Sequence, residues 1–163
     1  MTRREPSFDA LYRAHAPSIF RRARTLLGSD ADAQDVVSDV FTSLYERPDQ
    51  YAGRSALSTF LYSMTTHVCL NRIRNHKRRA RLHESGRDAI SVAAPHSAAP
   101  DRAAQLRELL LLMPEPLGQV AIYYYLDELT HAEIAEMLGC SRRHVGDLLV
   151  RLSAWMQARE RCA

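Results

Sequence analysis

Residues 131–152, HAEIAEMLGCSRRHVGDLLVRL, constrain this chain more than any other stretch, because they satisfy a helix-turn-helix at each demanding position. Thr130 and Glu133 have the spacing of a capping box that opens the first helix. Ala135 is small where two helices must cross closely, and Gly139 can take the left-handed conformation that ends a helix. Ser141 is then placed to cap the second helix. Ile134, Leu138, Cys140, Val145 and Leu148 fall on the inner faces and predict a small shared core. Such a unit lays its second helix in the major groove of DNA.

The rest of the chain reads as helical too. From Phe8 to Leu27, apolar residues recur at helical spacing, and Gly28 and Ser29 end that helix and cap the next. Residues 30–46 carry an apolar face of Val36, Val37, Val40, Phe41 and Leu44. Residues 48–58 contain Pro48 and Gly53 and predict a loop. A third helix follows from about Ser58 into the basic run NRIRNHKRRAR, residues 71–81. The small, polar, proline-bearing stretch 82–101 predicts a flexible linker. At about 3.5 Å per residue it could reach ~70 Å. Beyond it come one helix from Arg102 to Met113, another from Pro114 to Leu126, and the helix-turn-helix. Pro114 suits a first helical turn, where its missing N–H costs nothing. The expected fold is all-α: two small helical domains, 1–81 and 102–163, joined by the linker 82–101.

Several function classes are excluded by composition. No apolar run is long enough to span a membrane, and the first ten residues lack a signal-peptide pattern. Three scattered cysteines, Cys69, Cys140 and Cys162, argue against a disulfide framework and for a reducing, cytoplasmic setting. Cys140 and His144 stand four apart, but Cys140 fills an apolar position, so no metal or other cofactor is expected. No acid/base or nucleophile set emerges, so no enzyme is expected either.

Charge is unevenly distributed. Residues 1–81 hold 14 Lys/Arg against 8 Asp/Glu, whereas residues 105–163 hold 6 against 8. The half with the helix-turn-helix is therefore slightly acidic, although phosphate neutralisation supplies most of the affinity of a free-standing DNA binder. Three surfaces carry chemistry. Asp35 and Asp39 lie one turn apart on the second helix with no basic residue at helical spacing to relieve them, which predicts a docking surface for a basic protein. Arg72, Arg74, Lys77, Arg78, Arg79 and Arg81 follow Ser55, Ser58, Thr59, Phe60, Tyr62, Thr65, Thr66 and His67. Cations interleaved with hydroxyls and rings suit unpaired nucleic-acid bases. Arg142, Arg143 and His144 open the second helix of the helix-turn-helix, where base edges come within reach, and Arg151 could hold the backbone.

Together these blocks resemble the extracytoplasmic-function sigma factors of bacterial RNA polymerase. DAQDVVSDVFTSLY (32–45) is similar to the helix with which such factors grip the polymerase clamp. STFLYSMTTHVCLNRIRNHKRR (58–79) is similar to the segment that opens and reads the minus-ten element. LLLLMPEPLGQVAIYYYLDELTHAEIAEMLGCS (109–141) with its following helix is similar to the domain that reads the minus-thirty-five element. The resemblance implies a promoter-specificity subunit whose partners are core RNA polymerase and promoter DNA, with an anti-sigma protein as a further candidate partner. It implies polymerase binding by Asp35, Ser38, Asp39, Phe41 and Leu44. Minus-ten contacts would come from Arg54, Ser55, Phe60, Tyr62, His67, Asn71, Arg74, Lys77 and Arg78. Upstream contacts would come from Thr130, Ser141, Arg142, Arg143, His144, Asp147 and Arg151. His144, Gly146, Asp147 and Leu148 stand where the family has Thr, Lys, Ser and Arg, which implies an unusual upstream element. The alternatives are a free-standing helix-turn-helix regulator and a sigma-like interaction module that binds no DNA.

Overall fold

The computed structural model describes residues 8–51, 53, 55–84 and 102–161, and the backbone alone at 76–84 and 102–103. Helices dominate, and no strand occurs among the described residues. The chain divides into two compact units between Glu108 and Leu109.

The first unit is built on α1 (Phe8–Leu27), α2 (Asp30–Glu46) and α3 (Leu57–Glu84), each packed against the other two. Gly28, at φ +77°, ends α1, and Ser29 caps α2 by accepting from the Asp32 amide at 3.2 Å. Asp30 and Asp32 sit in the first turn of α2, where the helix dipole favours carboxylates. The core is the apolar face of each helix: Ile19, Ala23 and Leu26 from α1, Val36, Val37 and Val40 from α2, and Leu61, Leu70 and Ile73 from α3. A 3₁₀ turn at Pro48–Gln50 occupies the expected loop. Helix α3 runs three residues past the expected linker boundary, to Glu84, because Leu82, His83 and Glu84 contain no helix breaker.

Among the described residues, every buried one beyond position 101 lies in the second unit. Helix α4 (Arg102–Leu112) contains the division between the units, so the compact second unit starts later than residue 102. Pro114 is the N-cap of α5 (Glu115–Ala121), with Pro116 in the first turn, one step from the expected arrangement. Its ψ of 149° is extended, as fits a residue outside the helix. A π-helical turn, Ile122–Leu126, follows α5 directly. Helices α6 (His131–Leu138) and α7 (Arg142–Glu160) form the helix-turn-helix. The Thr130–Glu133 capping box is complete, Gly139 sits at φ +64°, and Ser141 caps α7 by accepting from the His144 amide at 3.2 Å. Ile134, Val145 and Leu148 are buried between the two helices' inner faces, joined by Leu152, whereas Leu138 and Cys140 are half-buried.

Candidate polymerase and nucleic-acid interfaces

The α2 surface differs from its expected form in its electrostatics. Asp35 and Asp39 have a cationic partner after all, supplied by α3 rather than by their own helix. Arg72 donates from Nη1 to Asp35 Oδ2 at 3.3 Å and from Nη2 to Asp39 Oδ2 at 2.6 Å. Asp32 Oδ1 lies 4.0 Å from Nη1. Partial burial opposes the charge on Arg72, but the hydrogen bonds to Asp39 and then Asp35 outweigh it and hold the guanidinium above its usual pKa. The stripe therefore keeps a net negative charge but is partly neutralised from behind. Ser38 is exposed on the same helix, with its hydroxyl donating to the Gln34 carbonyl at 3.2 Å.

Phe41 does not belong to this exposed surface. It is 3% exposed, covered by Phe8 and Tyr12 with ring centroids at 5.8 and 4.7 Å, because the apolar face of α2 turns towards α1. Leu44 is half-buried. Tyr45 is 74% exposed and packs edge-on against the Phe8 ring. Periodicity within α2 carries no signal that Phe8, one helix away, joins it to form an aromatic edge.

On α3 the expected minus-ten residues separate by face. At about 3.6 residues per turn, Phe60, His67, Asn71 and Arg74 share one stripe. Asn71 and His67 are hydrogen-bonded to each other at 2.9 Å. Phe60 is half-buried, its ring 5.4 Å from that of Tyr51. The Tyr51 hydroxyl donates to the Ser55 carbonyl at 2.7 Å, which ties down the loop ahead of α3. Tyr62 lies on the opposite side of the helix, where the Arg22 guanidinium stacks 4.3 Å from its ring centre. Thr65 and Thr66 are buried, with hydroxyls donating to the Leu61 and Tyr62 carbonyls. Thr66 also accepts from Arg22 Nε and Nη2, both at 3.3 Å. Thr65 and Thr66 are thus held inside the unit, while Tyr62 is half-buried and stacked against Arg22 of α1. Arg54 and the side chains of Lys77 and Arg78 lie outside the described residues.

Helix α7 presents a clearer outward face. Val145, Leu148 and Leu152 define its inner side. By helical phase, Arg143 and Asp147 point directly away from them, and Arg142, His144 and Arg151 flank. All five are exposed. Asp147 thus shares the outward face with Arg143. Gly146 is beside it, and a Cβ there would meet nothing within 4 Å. Thr130 and Ser141 are exposed, with their hydroxyl oxygens engaged in the two helix caps. Among the described residues no group of three His, Cys, Asp or Glu is placed to hold a metal, and no helix is long and apolar enough to cross a membrane.

Comparison with known proteins agrees with this layout. The Sigma-70 region 2 family matches residues 11–79, and the Sigma-70 region 4 family matches residues 103–154. The chain is 24% identical to the ECF RNA polymerase sigma factor SigM of Mycobacterium tuberculosis over 149 residues, covering 91% of this chain and 74% of that protein. It is 25% identical to the ECF RNA polymerase sigma factor SigW of Bacillus subtilis, covering 82% and 78%. The sigma factor RpoE of Bartonella quintana, solved in complex with the anti-sigma factor NepR, has a similar fold: TM-score 0.53, 14% identity, 93% of this chain and 94% of that one. With both sigma-70 regions present in order and named relatives that span nearly the whole chain, the protein belongs to the extracytoplasmic-function sigma factors.

Proposed function

We infer that this chain is a promoter-specificity subunit, which binds core RNA polymerase, recognises promoter DNA and starts transcription. The observation that carries this is the pairing, in one chain, of a region 2 match on the unit with the α3 stripe and a region 4 match on the helix-turn-helix. The family's members are DNA-recognition subunits rather than enzymes.

The finer assignments are ours. Asp35 and Asp39, exposed on α2, form the docking surface for core polymerase, with Ser38 beside them. His67, Asn71 and Arg74, together with Phe60, read and hold the opened minus-ten element. Their stripe offers an imidazole, an amide and a cation on one face of a helix, and unpaired bases stack and hydrogen-bond on such groups. Arg142, Arg143, His144 and Asp147 read the upstream element, with Arg151 on the backbone. A residue that accepts but cannot donate, as Asp147 does, suits a cytosine amino group. An anti-sigma protein is a further partner, on the analogy of the complex solved for the Bartonella quintana relative.

Run-off transcription with purified core polymerase tests this reading. Transcripts should initiate at a defined start only when the chain is added. A chain that binds core yet yields no transcript from a genomic promoter library would point instead to an interaction module. Sequence-specific binding of a palindrome without polymerase would point to a free-standing regulator.

A further inference from the structure

Arg72 belongs to neither assigned surface. It lies off the stripe of His67, Asn71 and Arg74, and it is not on α2. Yet its two terminal nitrogens donate to Asp35 Oδ2 at 3.3 Å and Asp39 Oδ2 at 2.6 Å. The arginine side chain is 25% exposed, whereas those of Asp35 and Asp39 are 66% and 52% exposed. The cation is therefore recessed behind the two anions rather than laid over them. It takes Oδ2 of each carboxylate, and both carboxylate side chains stay largely exposed, with a second oxygen each to accept from a partner.

We propose that Arg72 is a positioning residue for the α2 docking surface: one guanidinium holds the Asp35 and Asp39 carboxylates in fixed orientation, so that their outer oxygens accept from cationic groups of the polymerase together. This rests on the docking role of α2 given above. Two carboxylates one helical turn apart repel each other. A planar fork with several donors in fixed geometry offsets that repulsion and restrains both side chains at once. Orientation and charge then act with opposite signs. Removing Arg72 makes the surface more negative, which by itself would strengthen attraction to a basic partner. It also frees both carboxylates to rotate, which weakens binding because their ordering must then be supplied during association.

The test is equilibrium binding of the full chain to core RNA polymerase over a range of salt concentrations. The variants are Arg72→Ala, Arg72→Lys, Asp39→Ala, Arg72→Ala with Asp39→Ala, and Asp35→Lys with Asp39→Lys. Arg72→Ala should weaken binding about tenfold, within the span of coupling seen for residues in one ion-pair network, although it adds net negative charge. Arg72→Lys should fall between Ala and wild type, because an ammonium is a point donor and not a fork. Asp39→Ala should cost less in the Arg72→Ala background than alone. Circular dichroism and thermal melts accompany each variant. Should Arg72→Ala fail to fold, Arg72→Lys and Arg72→Gln carry the same comparison, with Gln the weaker binder. Binding by Arg72→Ala as tight as wild type or tighter, or strictly additive losses, overturns the positioning role. If Asp35→Lys with Asp39→Lys still abolishes binding in that case, the docking surface stands without it. Wild-type affinity in that double variant overturns the docking surface and the positioning role together.

Discussion

Two residues of α3, five sequence positions from each other, show how helical phase separates an exposed side chain from one packed against a neighbouring helix. His67 is exposed on the stripe with Asn71, whereas Tyr62 faces α1 beneath the Arg22 guanidinium. Replacing Tyr62 by Leu keeps apolar bulk and removes the ring face, so it should cost about 1 kcal/mol of stability. In polymerase-bound complexes Tyr62→Leu should leave permanganate reactivity of promoter thymines unchanged. His67→Ala and Asn71→Ala should lower that reactivity with little effect on the melting temperature. Equal loss of thymine reactivity in all three variants would reject the division. Cys69 makes a second case at this scale. Burial pushes its thiol up to about 12, even though the Arg22 and Arg72 guanidinia pull it down. The folded chain then keeps a proton that the unfolded chain releases near the ordinary value of 9.0. The stability tied to this proton is whole below pH 9 and is lost as pH rises from 9 towards 12, at up to about 1.4 kcal/mol per pH unit. Chemical denaturation at pH 8 and pH 10 should show a smaller fall for Cys69→Ala than for wild type. Equal falls would mean the thiol does not contribute.

Among the elements, the helix-turn-helix depends on a backbone position more than on a contact. Gly139 ends α6 at φ +64°, yet a Cβ there would touch nothing within 4 Å. Gly139→Ala should therefore destabilise through left-handed strain alone, by about 1–2 kcal/mol, and Gly139→Asn by less, since Asn tolerates that conformation better. Thermal melts of the full chain provide the comparison. If the two variants melt together, strain is not the cause. The cap at the start of the same helix responds to acid. The Thr130 hydroxyl and then the Thr130 backbone amide hold the Glu133 carboxyl below its usual range. Its contribution is present above the ordinary carboxyl pKa and fades as pH falls through the lowered one.

For the molecule as a whole, charge sets what it can do alone. Residues 105–163 carry 6 Lys/Arg against 8 Asp/Glu, so little counterion release is available to the unit that reads duplex DNA. On the proposed reading, the basic half is aimed at bases that duplex DNA hides. Docking on polymerase would bring both units to the promoter together and make the second contact effectively intramolecular, a gain of about 10²–10⁴ from tethering. The full chain alone should bind labelled promoter duplex no tighter than about micromolar at physiological salt, with steep salt dependence. Sequence-specific binding should appear when core polymerase is added. Nanomolar specific binding by the chain alone would contradict this.

What the amino-acid sequence determined by itself is whatever a few neighbouring residues can encode. The boundaries of α1 and α2, the Ser29 and Ser141 caps, the Thr130–Glu133 box and the Gly139 turn all follow from local hydrogen bonds and backbone sterics. Both family-level domains were legible for the same reason, since each is a string of such signals at set spacing. Tertiary structure decided what depends on partners far along the chain. Arg72 reaches Asp35 and Asp39 from 37 and 33 residues away, and Arg22 reaches Thr66 from 44 away. The acids on α2 could therefore not be judged from their own helix. Phe41 went the same way: a periodic pattern marks an apolar or aromatic face, but only the packing of α1 against that face settles that this ring is buried.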